Sequence, residues 1–219
     1  MAKPLIAAVL ISGSGSNLQA IIDAIRERSI PCQIEVVISN VAEAFGLQRA
    51  KQAGIKTHII EHKNFVDRHS FDEQIIKHID QYNIDLLILA GFMRILTDEF
   101  VEHYRGRMIN IHPSLLPDLK GLNTHQRALD SGAKMHGATV HYVTPELDSG
   151  PIAVEGQLNV LSEQTAQELQ QRVHHIEHRI YPLVIEWLAN RRLEHKPSGL
   201  FLDGTLLNTR GMELYFEDL

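Results

Sequence analysis

The sequence has almost none of the features that mark a secreted or membrane-bound chain. Cys32 is the single cysteine among 219 residues, so no internal disulfide can form and an oxidising compartment is not implied. No apolar run approaches the roughly 20 residues that span a bilayer. The first residues lack the basic patch and long apolar stretch of a secretory signal, and the cytoplasm is the expected location. Positive charge is also scarce: 21 Lys and Arg stand against 27 Asp and Glu, a formal net charge of −6. With no broad basic field, non-specific association with nucleic acid or an anionic membrane is not expected, and a small anion needs a local site. Internal repeats, low-complexity tracts and a Pro- or Gly-rich linker are missing too. A chain of this length buries a sizeable core, and one domain over residues 1–219 is expected.

Short apolar runs alternate with segments of helical period. LIAAVLI (5–11), IEVVIS (34–39), KTHII (56–60) and IDLLILA (84–90) are rich in Ile, Val and Leu, as strands buried on both faces are. Between them LQAIIDAIRERS, EAFGLQRAKQA and FDEQIIKHIDQY place apolar residues three and four apart, the spacing of one helix face. MINIH (108–112) reads as a fifth strand. ATVHYVT (138–144) and PIAVEGQLNV (151–160) alternate more clearly and predict antiparallel additions, a long helix is expected over roughly 164–190, and LFLDGTLLN carries an Asp-Gly hairpin signal. The fold class is therefore α/β: a Rossmann-like open sheet, parallel in its N-terminal half, with antiparallel C-terminal additions.

The first strand runs into SGSGSN (12–17), which opens the first helix. Gly13 and Gly15 permit positive φ and close backbone approach, while Ser16 and Asn17 offer side-chain donors and a helix cap. Free amides at a helix start, aligned with its dipole, seat a phosphate. Leu18 stands where GxGxxG has its third glycine, and the GK[ST] of a nucleotide P-loop is missing, so a monophosphate is preferred to a dinucleotide. The same turn would also serve as a plain strand-to-helix connection.

Asn110 and His112, two apart on a strand, point to one face at the carboxyl end of the sheet, where open α/β folds bind ligands. A carboxamide donor beside an imidazole suits a developing oxyanion: one group donates a hydrogen bond and the other supplies a proton. A carboxylate to hold the imidazole protonated is the missing part, and Asp148 in ELDSGPI is the candidate. Each has a plainer reading as well, the first two as a strand-end polar pair and Asp148 as a turn former. The chain holds 13 histidines. HHIEH (174–178) matches the HxxEH pattern of inverted zinc proteases, but Glu186 and Glu194 lie too near to supply the further ligand, and no metal is expected. His58 and His62 read as a solvated pair at a strand end, His178 as a packed or capping residue, and His141 as a core histidine or a helper beside the site.

From about Leu5 to Gly204 the chain resembles the folate-dependent glycinamide ribonucleotide formyltransferases. VLISGSGSNLQAI, GFMRIL, INIHPSLLP, HGATVHYVTPELDSGPI and EHRIYP occur in order. The resemblance implies that Gly13, Ser14, Gly15, Ser16 and Asn17 hold the substrate phosphate and that Glu177 contacts its ribose side. It implies Asn110, His112 and Asp148 as the catalytic trio. It also implies a folate cleft of Arg68, Met93, Arg94, Ile95, Leu96, Asn110, Thr144, Pro145, Glu146 and Leu147. Two departures stand out: His174 replaces a Lys or Gln near the substrate, and Leu119 replaces an aromatic residue after SLLP. A phosphate-binding half is expected over about 1–110, a catalytic and folate-binding half over about 111–204, and a tail over 205–219.

The activity so implied moves a formyl group from 10-formyltetrahydrofolate, a co-substrate, to the amine of glycinamide ribonucleotide in purine biosynthesis, in a monomer or homodimer without metal. A methionyl-tRNA formyltransferase would need a further RNA-binding domain and a basic face, and a formyltetrahydrofolate hydrolase an extra N-terminal domain. A catalytically silent folate or nucleotide sensor on the same fold would have no use for Asn110, His112 and Asp148 together.

Overall fold

A computed structural model describes residues 3–217. Met1 and Ala2, and the last two residues of the expected 205–219 tail, lie outside the described residues. The chain forms two compact units, Met1–Asn110 and Ile111–Leu219. The division falls inside a strand, with no linker between the units, and composition therefore carries no trace of it.

The first unit runs β1 (Leu5–Ile11), α1 (Ser16–Glu27), β2 (Cys32–Ser39), α2 (Phe45–Gln52), β3 (Lys56–Ile59), α3 (Arg68–Ile79), β4 (Leu86–Leu89) and α4 (Asp98–His103), and enters β5 (Met108–His112). Its strands are all parallel in the order β5-β4-β1-β2-β3. The central strand has the deepest burial, with Ala7 through Ile11 all at 0% exposure. Each such Ile or Leu contributes roughly 1.5–3 kcal/mol by leaving water. Phe71, Ile75 and Ile79, four apart on α3, form the buried stripe of that helix. The expectation that KTHII is buried on both faces is corrected: β3 pairs with β2 alone, and its Lys56 and Ile59 are exposed. A strand at a sheet edge has a neighbour on one side only.

Because the strands are parallel, the loops after β1, β2 and β4 leave at the same carboxyl ends of this sheet, which is how residues far apart in sequence come to share one region.

The second unit continues with α5 (Thr124–Asp130), β6 (Met135–Tyr142), β7 (Ile152–Asn159), α6 (Ala166–Ala189), β8 (Leu193–Lys196), β9 (Gly199–Leu202), β10 (Thr205–Leu206) and β11 (Met212–Tyr215). β6 and β7 are antiparallel as expected. The Asp-Gly signal is a hairpin turn between β9 and β10, with Asp203 and Gly204 at φ 51° and 79°, the two positive values a type I′ turn needs. Beyond it the chain returns and β11 adds to β7 in parallel. α6 opens on a capping box, Thr165 and Glu168 each bonding the other's backbone. Leu169, Val173, Ile176, Ile180 and Val184 form its buried stripe.

Candidate active site

In the first unit the Gly-rich turn is an open helix start. Gly15 is the N-cap of α1 at φ 68°, in the left-handed region, and no side chain caps the helix. The expected capping by Ser16 or Asn17 is therefore corrected: both already lie in the first helical turn, Asn17 buried. The glycine is required twice over, by its φ and because a Cβ there would stand 2.5 Å from the Gly46 Cα. Gly46 at the start of α2 donates its amide to the Gly13 carbonyl at 3.1 Å. The Arg49 Nε donates to the Ser14 carbonyl at 2.9 Å and its Nη1 to Gln19 at 3.2 Å. The loop's carbonyls are thus drawn toward α2.

Ser12, just before the glycines, ties the strand ends together. Its amide donates to the Gly91 carbonyl at 3.2 Å. Its hydroxyl donates to Asn40 Oδ1 at 2.6 Å and accepts from the Met93 amide at 2.8 Å. Asn40 in turn bonds His62 Nδ1 at 3.1 Å, and His58 bonds the Tyr82 hydroxyl at 3.0 Å. These two histidines are half-buried and partnered, which corrects the reading of a solvated pair: the strand end they occupy is packed against its neighbours. Of GFMRIL, Met93 and Ile95 are 66% and 61% exposed, apolar side chains held out on a polar-tethered backbone. Arg94 is exposed and Leu96 half-buried. Arg68 is exposed at the start of α3, and one turn later the buried Asp72 accepts the Thr97 amide at 2.7 Å, anchoring the far end of the segment.

The second unit supplies the titratable cluster. His112 ends β5, 6% exposed, two residues after Asn110 on the strand. Its Nδ1 lies 3.5 Å from Asp148 Oδ2, and its Nε2 donates to the Leu119 carbonyl at 3.1 Å. Asp148 is 9% exposed and takes a positive φ of 48°, a strained position for a residue with a Cβ. Its Oδ2 also accepts the Gly121 amide at 3.0 Å, and its Oδ1 lies 3.8 Å from His141 Nε2. His141 is buried, Nδ1 donating to the Tyr142 carbonyl at 2.9 Å. Burial pushes its imidazole below the ordinary range, against the pull of that carbonyl and of Asp148, which favours a neutral ring. It is buried in the core and next to Asp148 at once, so both readings of His141 stand. Lys120 bonds Glu146 at 3.3 Å and also Ser149, pinning segment 119–121 to the loop that carries Asp148.

Thr144 is half-buried and caps its own turn by donating to the Glu146 carbonyl at 3.2 Å; Pro145, Glu146 and Leu147 are exposed. Glu177 is 5% exposed on α6. His174 and His178 on the same helix stack at 6.2 Å. His125 Nδ1 bonds His136 Nε2 at 3.1 Å, and burial pushes both down to about 4, with other histidines adding repulsion. Among the described residues no three His, Cys, Asp or Glu side chains converge as metal ligands. Sequence reasoning missed Ser12, Arg49, Lys120 and the Leu119 carbonyl; Ser12 adjoins the glycines and could have been read as their continuation, whereas a main-chain acceptor leaves no sequence signal.

A Gly-rich loop at a helix start and a buried His–Asp pair on an α/β frame match a known class. A family model described as formyl transferase matches residues 6–185. The chain is 49% identical over 203 residues to the phosphoribosylglycinamide formyltransferase of Escherichia coli (strain K12), covering 93% of this chain and 96% of that one. It is 44% identical over 192 residues to the trifunctional purine biosynthetic protein adenosine-3 of Homo sapiens, 88% of this chain and 19% of that longer protein. The solved structure of the phosphoribosylglycinamide formyltransferase from Coxiella burnetii is 51% identical and superposes with a TM-score of 0.92 over 96% of this chain and 99% of that one. The chain belongs to the phosphoribosylglycinamide formyltransferase family.

Proposed function

We propose that this chain transfers the formyl group of 10-formyltetrahydrofolate to the amine of N1-(5-phospho-D-ribosyl)glycinamide, a step of purine biosynthesis, and that residues 1–219 act as one formyltransferase domain. The observation that carries the chemistry is the buried His112, held between the Asp148 carboxylate at 3.5 Å and the Leu119 carbonyl at 3.1 Å. The Leu119 carbonyl can only accept, so Nε2 carries a hydrogen, and hydrogen bonds polarise the formyl group without a metal.

The substrate amine attacks the formyl carbon, the new C–N bond forms, and the carbonyl π pair moves onto oxygen. The Asn110 carboxamide donates to that oxyanion. The oxyanion pair then returns to re-form the carbonyl as the bond from carbon to N10 breaks; His112 gives N10 a proton, and the proton lost by the attacking nitrogen returns to His112, so the count of protons closes. The Leu119 carbonyl is the acceptor that the reacting group replaces. Gly13, Ser14, Gly15, Ser16 and Asn17 bind the 5-phosphate, and Glu177 receives the ribose hydroxyls. The exposed Met93 and Ile95, with Arg68, Arg94 and Leu96, bind folate from the first unit; Thr144, Pro145, Glu146 and Leu147 do so from the second.

Release of tetrahydrofolate from 10-formyltetrahydrofolate, followed by absorbance with glycinamide ribonucleotide present or omitted, tests the reading. Product only when the ribonucleotide is present is expected. Product in its absence makes the chain a hydrolase, and no product in either case makes it a sensor.

A further inference from the structure

We infer that Arg49 on α2 is a positioning residue for the phosphate: it aims the peptide groups of the Gly-rich loop at the anion by holding their carbonyls on the opposite side. The inference rests on the proposed seating of the 5-phosphate at residues 13–17. A trans peptide group points its N–H away from its C=O. The Gly13 carbonyl is taken by the Gly46 amide at 3.1 Å, so the Ser14 N–H of the same peptide faces away from α2. The Ser14 carbonyl is taken by the Arg49 Nε at 2.9 Å, so the Gly15 N–H faces away as well. The Ser14 and Gly15 amides thus make a pair of donors on the side opposite α2.

The guanidinium is itself fixed. Its Nη1 donates to Gln19 on α1 at 3.2 Å, and the group lies over the Phe45 ring, 4.8 Å from the centroid. Behind the loop, a Cβ on Gly46 would meet the Ile11 Cδ1 at 2.6 Å and the Gly15 Cα at 3.1 Å, so α2 and the loop touch backbone to backbone at Gly15. Removing the guanidinium frees the Ser14–Gly15 peptide to rotate, and a rotated peptide presents a carbonyl to the phosphate in place of an amide. Arg49 thus acts through the loop; its selectivity for the phosphate is a matter of direction and persists when salt screens its charge.

The test compares wild type, Arg49→Ala and Arg49→Lys with glycinamide ribonucleotide and with the same compound lacking its phosphate. Arg49→Ala should raise KM for the phosphorylated substrate roughly ten- to a hundredfold, with kcat nearly unchanged, as for a lost charged-group hydrogen bond. With the dephosphorylated substrate, its KM should match wild type. Arg49→Lys keeps the charge but not the planar fork, and its KM should fall between the two. The Ala-to-wild-type KM ratio should stay constant from about 0.05 to about 0.5 M salt, where exposed charges are largely screened. A ratio that vanishes at high salt, or full rescue by Lys, overturns the directional role in favour of charge alone. An unchanged KM in Arg49→Ala overturns it outright. A wild type indifferent to the phosphate overturns instead the assignment of residues 13–17, a separate failure.

Discussion

Two side chains on one strand carry the proposed chemistry, and their losses should differ in kind. His112→Ala removes a positioned acid and should lower kcat by roughly 10²–10⁴, whereas Asn110→Ala removes an oxyanion donor and should cost on the order of 10²–10³. Stopped-flow turnover at saturating substrates separates the two from binding defects; kcat within threefold of wild type for His112→Ala removes that residue from the mechanism. Asp148→Asn keeps the shape of the carboxylate 3.5 Å from His112 Nδ1 but deletes its charge. Its kcat should drop. Added to His112→Ala it should cost little more, since residues that act as a unit are not additive. Additive losses would leave Asp148 a turn residue only.

At the scale of elements, α5 is the segment whose attachment depends on protonation. Its His125 bonds His136 of β6 at 3.1 Å, and both rings are pushed by burial from 6.5 to about 4. The unfolded chain therefore binds more protons than the folded one between those values, and stability rises with pH across that window. The contribution is complete above about pH 6.5 and lost progressively toward pH 4. Wild type should melt at a lower temperature at about pH 5 than at about pH 7, and His136→Gln, which cannot titrate, should flatten that dependence. Equal pH slopes in both proteins would show that the pair contributes nothing. The amide exchange of α5 should quicken over the same window, since local opening precedes global unfolding.

Across the whole molecule the least expected contribution comes from the last described residues. β11 adds in parallel to β7, and the loop before it brings Arg210 to Glu155, a carboxylate at 0% exposure, with its Nε 2.9 Å from Oε2. Burial raises the Glu155 carboxyl above its ordinary value while Arg210 and Gln157 pull it down. Arg210→Ala leaves the burial opposed by Gln157 alone and should cost about 3 kcal/mol, the lower end for a broken buried pair because Arg210 is itself half-exposed. A carboxyl raised in the folded state favours the neutral form, so the deficit should shrink as the pH falls. Urea midpoints of wild type and variant at about pH 8 and about pH 5.5 give the comparison. A deficit that is constant with pH would assign the loss to packing of β11 alone.

Local pattern by itself determined the alternation of strands and helices over residues 5–112, the hairpin turn at Asp203–Gly204 and the long amphipathic α6. Each is encoded by neighbours within a few residues, through period, β-branching or turn chemistry. Motif and spacing likewise marked residues 13–17, Asn110, His112 and Asp148, because a Gly-rich turn and a two-residue strand spacing are short-range signals. Only the tertiary structure decided that β3 lies at an exposed edge, that β11 returns to the sheet of β7, and that α1 starts at Gly15 without a side-chain cap. It alone brought Ser12 to Asn40 and Met93, Arg49 to the Ser14 carbonyl, and His141 to Asp148. These contacts join residues 7 to 81 positions apart, some through main-chain carbonyls and amides that every residue possesses, and no local pattern distinguishes the peptide group that a distant side chain will hold.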